Sequence, residues 1–137
     1  MLTLTRKSDY AIRIISFLAS SPSKNFISSS VISQSTQVPK KFLARIILDL
    51  IKAGWVESAR GSKGGVRLSK AAETVTLAQV IEKIEGPIFL NVCCQPGETC
   101  PLKGECKMHP SWMRIQLEVV KLLDSFVIVQ VARQKPK

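Results

Sequence analysis

Apolar residues recur at helical intervals three times in the first third of the chain. From Thr5 to Ser20, Ala11, Ile14, Ile15 and Leu18 fall on one helix face and Lys7 and Arg13 accompany them, which predicts an amphipathic helix. Ser21-Pro22-Ser23 breaks it. A short second helix is predicted with Ser28 as its N-cap, Val31 and Ile32 turned inward and an end near Ser35-Thr36. The third is the clearest: Pro39 suits a first helical turn, Leu43, Ile46, Ile47, Leu50 and Ile51 form a single stripe, and Gly54 suits a C-terminal cap. Two helices joined by a few residues, the second well defined, make a helix-turn-helix.

The period then changes. Trp55 to Arg60 and Val66 to Ser69 alternate over short runs on either side of Gly61-Ser62-Lys63-Gly64-Gly65, so a β-hairpin is expected with Arg60, Lys63 and Arg67 giving it a basic tip. The glycine run is no phosphate-binding P-loop, because it lacks the G-x-x-x-x-G-K-[ST] pattern and leads into a strand. Helical spacing returns at Leu77, Val80, Ile81 and Ile84, and again in a long helix from Pro110 onward, where Trp112, Ile115, Val119, Leu122 and Leu123 mark a wide apolar face. A chain this small cannot cover that face alone, and a homodimer is the simple answer; an ordinary core helix capping the head is the alternative. Phe126 to Val131 is strongly β-branched and reads as a short helix or a strand. The expected fold class is mainly α with a small β-hairpin: a winged helix-turn-helix head over 1–86, a cysteine-rich loop over 87–109, and a dimerisation helix with its tail over 110–137.

Charge says what the head is for. The 137 residues carry a formal net charge of +10, and residues 1–70 hold 12 Lys/Arg against 3 Asp/Glu, a net of +9, which leaves +1 for the rest. A basic block joined to a neutral one suits a polyanion-binding head, with a merely solubilising surface as the plain alternative. In a winged helix the third helix enters a major groove and the hairpin touches its flank. Lys40, Lys41, Ala44 and Arg45 lie opposite the apolar stripe of that helix; the lysines suit phosphates and Arg45 suits a guanine. The candidate DNA-binding residues are therefore Ser28, Lys40, Lys41, Arg45, Arg60, Lys63 and Arg67. The opening MLTLTRKSDY has no apolar core and no long apolar stretch follows, so a cytoplasmic protein without a membrane partner is expected.

The neutral half holds the distinctive chemistry. All four cysteines and the one histidine fall within the 17 residues from Cys93 to His109, in a stretch broken by Pro96, Gly97, Pro101 and Gly104. Disulfides need an oxidising compartment. A Cys3His zinc site is chemically reasonable, although Cys-x5-Cys-x5-Cys-x2-His lacks the usual close Cys pair. An iron-sulphur cluster also takes thiolates from a flexible loop, and histidine sometimes replaces one of them. Spacing alone leaves zinc and iron-sulphur both open. An enzyme is remote: the chain has a single histidine, no recognisable carboxylate pair and no cofactor fingerprint.

LTRKSDYAIRII at the N-terminus, ARGSKGG followed by VRLSK, and Cys94-x5-Cys100-x5-Cys106-x2-His109-x2-Trp112 together resemble the Rrf2 family of winged-helix transcription regulators, which includes IscR and NsrR types. The resemblance runs in order along nearly the whole chain. It implies a dimeric regulator, a repressor, binding a double-stranded DNA operator, with a 2Fe-2S or 4Fe-4S cluster in the loop. Its thiolates match Cys94, Cys100 and Cys106, with Cys93 an extra neighbour. The fourth ligand matches His109 by the IscR pattern, or Asp9, supplied by the partner subunit, by the NsrR pattern. Without a cluster, the same cysteines would serve as a thiol switch or a zinc site.

Overall fold

A computed structural model describes residues 3–21 and 24–135. The predicted break at Pro22-Ser23 and the last two residues of the tail lie outside the described residues. The first helix, α1 (Arg6–Ser20), starts where the Thr5 hydroxyl accepts the Ser8 N–H, and it buries Ala11, Ile14, Ile15 and Leu18 as one stripe. It lies at the centre of the fold, touching α2 (Ser29–Thr36), α3 (Lys40–Lys52), α4 (Leu77–Glu85) and the terminal helix α6 (Ile128–Arg133). Its stripe meets Ile32, Val38, Leu43, Ile46, Leu50, Val56, Val66, Val75, Val80 and Ile128 in one core.

In α2, Ser28 is the N-cap, but only one of the two adjacent apolar residues turns inward: Ile32 is 0% exposed and Val31 46%. Neighbours on a helix point about 100° apart, so a single turn cannot aim both at one core. The turn into α3 is fixed by the Ser33 hydroxyl donating to the Val38 carbonyl at 2.7 Å, with Val38 fully buried. Pro39 is the residue before the helix rather than within its first turn, and Ile51 is half-buried.

The hairpin pairs β1 (Val56–Ala59) antiparallel to β2 (Gly65–Leu68), Glu57 opposite Arg67 and Ala59 opposite Gly65. Its outer side is held by the strand entering α2, where Ile27 exchanges two backbone hydrogen bonds with Val66 (2.9 and 2.8 Å). That close approach requires Gly65: its φ is +144° and a Cβ there would run into the Ile27 carbonyl.

Hydrogen bonds pin the second half to the head at several points, among them the Arg133–Glu73 pair and the two junctions that follow. At the start of α4, Thr76 and Gln79 form a capping box, and the Thr76 hydroxyl also donates to Asp124 at 2.7 Å, at the end of α5 (His109–Asp124). Beside it, Leu77 N–H donates to Phe126 and Ile128 N–H to Val75. Phe126 to Val131 is thus a turn followed by the helix α6, whose Ile128 and Val129 are buried. The other pin is at the end of α4, where Glu85 accepts both the N–H (3.0 Å) and the hydroxyl (2.8 Å) of Thr5.

Burial opposes ionisation of Glu85, but the nearby Ser8 hydroxyl and the two hydrogen bonds from Thr5 outweigh it and hold the carboxyl below its ordinary value. A lowered folded value means that Glu85 adds stability above the ordinary glutamate range and loses it as pH falls through the folded value. Glu85→Gln is expected to cost about 0.5–1 kcal/mol at neutral pH, discounted for solvent screening. Urea melts at pH 7 and in acid check this: the gap between wild type and variant closes on acidification, and a gap that is constant with pH contradicts the assignment.

Candidate nucleic-acid interface and cysteine groove

Helix α3 presents Lys40, Lys41, Ala44 and Arg45 on its exposed side, as its stripe requires. The surface extends further than the helix itself. Arg6, Lys7 and Tyr10 of α1 line one groove with Phe42, Arg45 and Ile46 of α3. Lys7 pairs with Asp49 at 2.8 Å and locks the two helices together; that hydrogen bond, against partial burial, holds the Asp49 carboxyl below its ordinary value. Cations also lie over the aromatic rings, Lys41 Nζ 4.9 Å from the Phe42 centroid and Arg13 5.7 Å from that of Tyr10. The contribution of α1 was not legible from the stripe of α3; its only signal was Arg6-Lys7 followed by Tyr10.

The remaining basic candidates separate. Arg60 and Lys63 are exposed on the hairpin loop. Arg67 sits within β2, where it pairs with Glu57 at 2.9 Å and stacks over Phe26 at 4.4 Å, so it belongs to the root of the wing rather than its tip. Ser28 spends its side chain on capping α2, accepting from Val31 N–H at 3.4 Å.

The cysteines gather at the opposite end of α5 from its junction with the head. A 3-10 turn, Val92–Cys94, is capped by Asn91 and packs on α5. All four thiols are free. Cys93, Cys100 and Cys106 are half-buried and line one groove of about 320 Å³ with His109 and Trp112 of α5, while Cys94 is buried and outside the lining. The His109 ring nitrogen Nε2 lies 3.3 Å from the Cys93 carbonyl, tying the helix start to the 3-10 turn. Burial, followed by the neighbouring Cys94 and Cys100 thiols, pushes the Cys93 thiol up. Gly97 and Gly104, both at positive φ, let the loop fold back between the cysteines. Soft thiols and an imidazole around one groove suit zinc or an iron-sulphur cluster. Among the described residues, no three His, Cys, Asp or Glu side chains stand close enough to share a metal ion. Occupation therefore requires the loop to draw in. Asp9 is in the first turn of α1, paired with Arg13 at 2.6 Å, and does not line the cysteine groove of its own chain.

A buried glutamine connects this groove to the rest. Gln116 is 8% exposed; its carbonyl oxygen accepts from Leu90 N–H at 2.8 Å and its amide donates to the Ile88 carbonyl. On a helical wheel it occupies the inward stripe of Trp112, Val119, Val120 and Leu123. On either side of that stripe, Ile115 with Leu122, and Met113 with Leu117, remain exposed.

The family model described as an iron-dependent transcriptional regulator, Rrf2, matches residues 4–134. The chain belongs to the Rrf2 family. Its Rrf2 relatives include the HTH-type transcriptional regulator NsrR of Bacillus licheniformis, 36% identical over 80% of this chain and 73% of the relative. CymR of B. subtilis, described as the global cysteine regulator, superimposes with a TM-score of 0.78 at 28% identity, over 99% of this chain and 100% of that one. T. potens IscR shares the fold at a TM-score of 0.73 and 20% identity, covering 99% and 93%. The Rrf2 assignment makes the chain a member of a winged-helix family whose relatives are transcriptional regulators. No described helix is long and apolar enough to cross a membrane.

Replacing Gln116 with Leu keeps the helix but strips the Ile88 carbonyl and Leu90 N–H of their partners, at a cost of about 1–3 kcal/mol. In hydrogen exchange the Leu90 amide should lose at least about tenfold protection, equivalent to roughly 1.4 kcal/mol of local opening. Wild-type exchange at Leu90 would show that the clamp holds nothing.

Proposed function

We propose that this regulator, acting as a homodimeric repressor, binds a double-stranded operator through α3 and the wing, with an iron-sulphur cluster in the cysteine groove setting its affinity. The observation that carries the reading is the groove itself: three thiols of the loop line it together with His109, the first residue of the helix that is also clamped to the DNA-reading head. Kinship with NsrR and the iron-dependent description of the family support it. Lys40, Lys41, Arg60 and Lys63 meet phosphates, and Arg45 reaches a base edge. Arg6 and Tyr10 extend that footprint. Arg67 acts from the wing root, holding the hairpin on Phe26, and Ser28 by fixing the start of α2.

Cys100, Cys106, one thiol of the Cys93-Cys94 pair and His109 would hold the cluster, with Asp9 of a partner subunit as the alternative fourth ligand. When bound, the cluster supplies a redox- and nitric-oxide-reactive centre whose nitrogen or carboxylate ligand is the weak one. The chain's own part is mechanical. Drawing the loop in pulls on His109 and on the Gln116 clamp, and so on α5. The exposed Ile115–Leu122 and Met113–Leu117 flanks of α5 pack against a second copy, so a shift of α5 alters the spacing of two recognition helices. Resemblance to CymR favours a second reading, in which the same half-buried thiols respond without a cluster.

Anaerobic purification separates the two. The first reading predicts coloured protein with iron and acid-labile sulphide; colourless protein with neither supports the second. DNA binding is tested in either case by salt: operator affinity should fall about 10³-fold or more from 50 to 200 mM salt if six or more phosphates are contacted. Arg45→Ala should cost about 1–3 kcal/mol at one operator position. Salt-insensitive binding contradicts the assigned face.

A further inference from the structure

We infer that Phe42, seated against Tyr10, reads a thymine of the operator through its 5-methyl group. This rests on the DNA-binding reading of α3 and deepens it.

Phe42 is the third residue of α3, next to Leu43 of the buried stripe, and is 45% exposed. A lone apolar side chain on a surface means little, but this one forms a wall of a groove. The Tyr10 ring lies 6.0 Å away at a tilt of 40°, and Lys41 Nζ stands 4.9 Å from the Phe42 ring centroid, so the ring is held from two sides. With Ile46, the two rings line a space of about 350 Å³ between α1 and α3 whose walls are almost wholly apolar. Arg6, Lys7 and Arg45 border the same space, and Lys7 spends its charge on Asp49 at 2.8 Å. The result is an apolar recess rimmed by cations.

That combination is the complement of one feature of DNA. Base pairs present hydrogen-bond donors and acceptors in the major groove, and the thymine 5-methyl is the apolar group among them. Phosphates on either side supply the charge that Arg6, Lys41 and Arg45 meet. The N-terminal residues of a recognition helix are those that approach base edges, which is where Phe42 lies. Ala44, also exposed, offers only a methyl group of its own, so the ring and its recess are the larger apolar surface on this turn. Seating one methyl there removes it from water, a gain of about fourfold in affinity.

The test uses the full chain and a duplex enriched from a random pool by its affinity for the wild type. Each thymine is replaced in turn by deoxyuridine, which removes the methyl and keeps the pairing and the hydrogen-bonding edge. Wild type should lose about fourfold in affinity at one position of a half-site. Phe42→Ala should bind the thymine and uracil duplexes equally at that position, and its affinity should fall with salt along the wild-type slope, because no phosphate contact is lost. Far-ultraviolet melts check the fold; should Phe42→Ala melt early, Phe42→Gln, a polar side chain of longer reach, takes its place. A scan in which no uracil matters overturns the assignment. So does a methyl effect of undiminished size in the variant, which would give the contact to another residue. A loss equal on every duplex with a shallower salt slope overturns it too, since the ring would then only place the phosphate-binding cations. A wild type that enriches no sequence overturns instead the DNA reading beneath it.

Discussion

The proposed coupling in this regulator depends on one short junction, where Thr76 and Leu77 meet Asp124 and Phe126, and Val75 meets Ile128. A side-chain hydrogen bond of 2.7 Å, backbone bonds of 2.9 and 3.0 Å and the burial of Ile128 fasten the C-terminal end of α5 to the head. The N-terminal end of the same helix begins at His109, in the wall of the cysteine groove. A helix of 16 residues is about 24 Å long and stiff on that scale, which is the lever the proposed coupling needs. Gln116 holds the chain between head and loop to the middle of this lever.

The division of charge follows the division of labour. The head carries nearly all the excess cation, arranged on α3, the wing loop and the first turns of α1. Its internal ion pairs, Lys7 with Asp49 and Arg67 with Glu57, are half-exposed and contribute little to stability one by one. Their effect is positional: one ties α1 to α3 and the other β1 to β2. The apolar core beneath, centred on α1, makes the head rigid enough for that placement to matter. On the neutral half, weak repulsion and an open apolar helix face suit self-association.

Much of this was legible in the sequence. Long stripes at helical spacing, as in α1 and α3, leave a helix only one way to face a core, and the glycine run marks the hairpin. What escaped depends on pairing in three dimensions. Val31 is exposed because its neighbour Ile32, with Thr36 one turn on, takes the inward face of the short helix beside α1 and α3. Arg67 was placed at the wing tip; the strand register puts it opposite Glu57 at the root. Gln116, which no apolar pattern marks, is the residue of α5 that binds the segment before the loop, through Leu90 and Ile88. In the cysteine loop, spacing counts residues, whereas the handedness of a tight turn decides which of two neighbouring thiols faces the groove. The terminal β-branched run was open between helix and strand; it is a helix, Ile128 and Val129 are buried, and it packs on α1 and on the 3-10 turn Lys70–Thr74.

The central claim is that occupancy of the cysteine groove and operator binding share one free energy through α5. Such coupling is reciprocal, so whatever factor the cluster adds to DNA affinity, the operator must add to cluster affinity. The direct measurement is anaerobic iron chelation from reconstituted protein, giving the cluster's affinity with saturating operator and with a scrambled duplex of equal length. The account predicts that the two affinities differ by the same factor as the DNA affinities of loaded and empty protein, with the same sign. Equal cluster affinities, together with equal DNA affinities of the two forms, would contradict it.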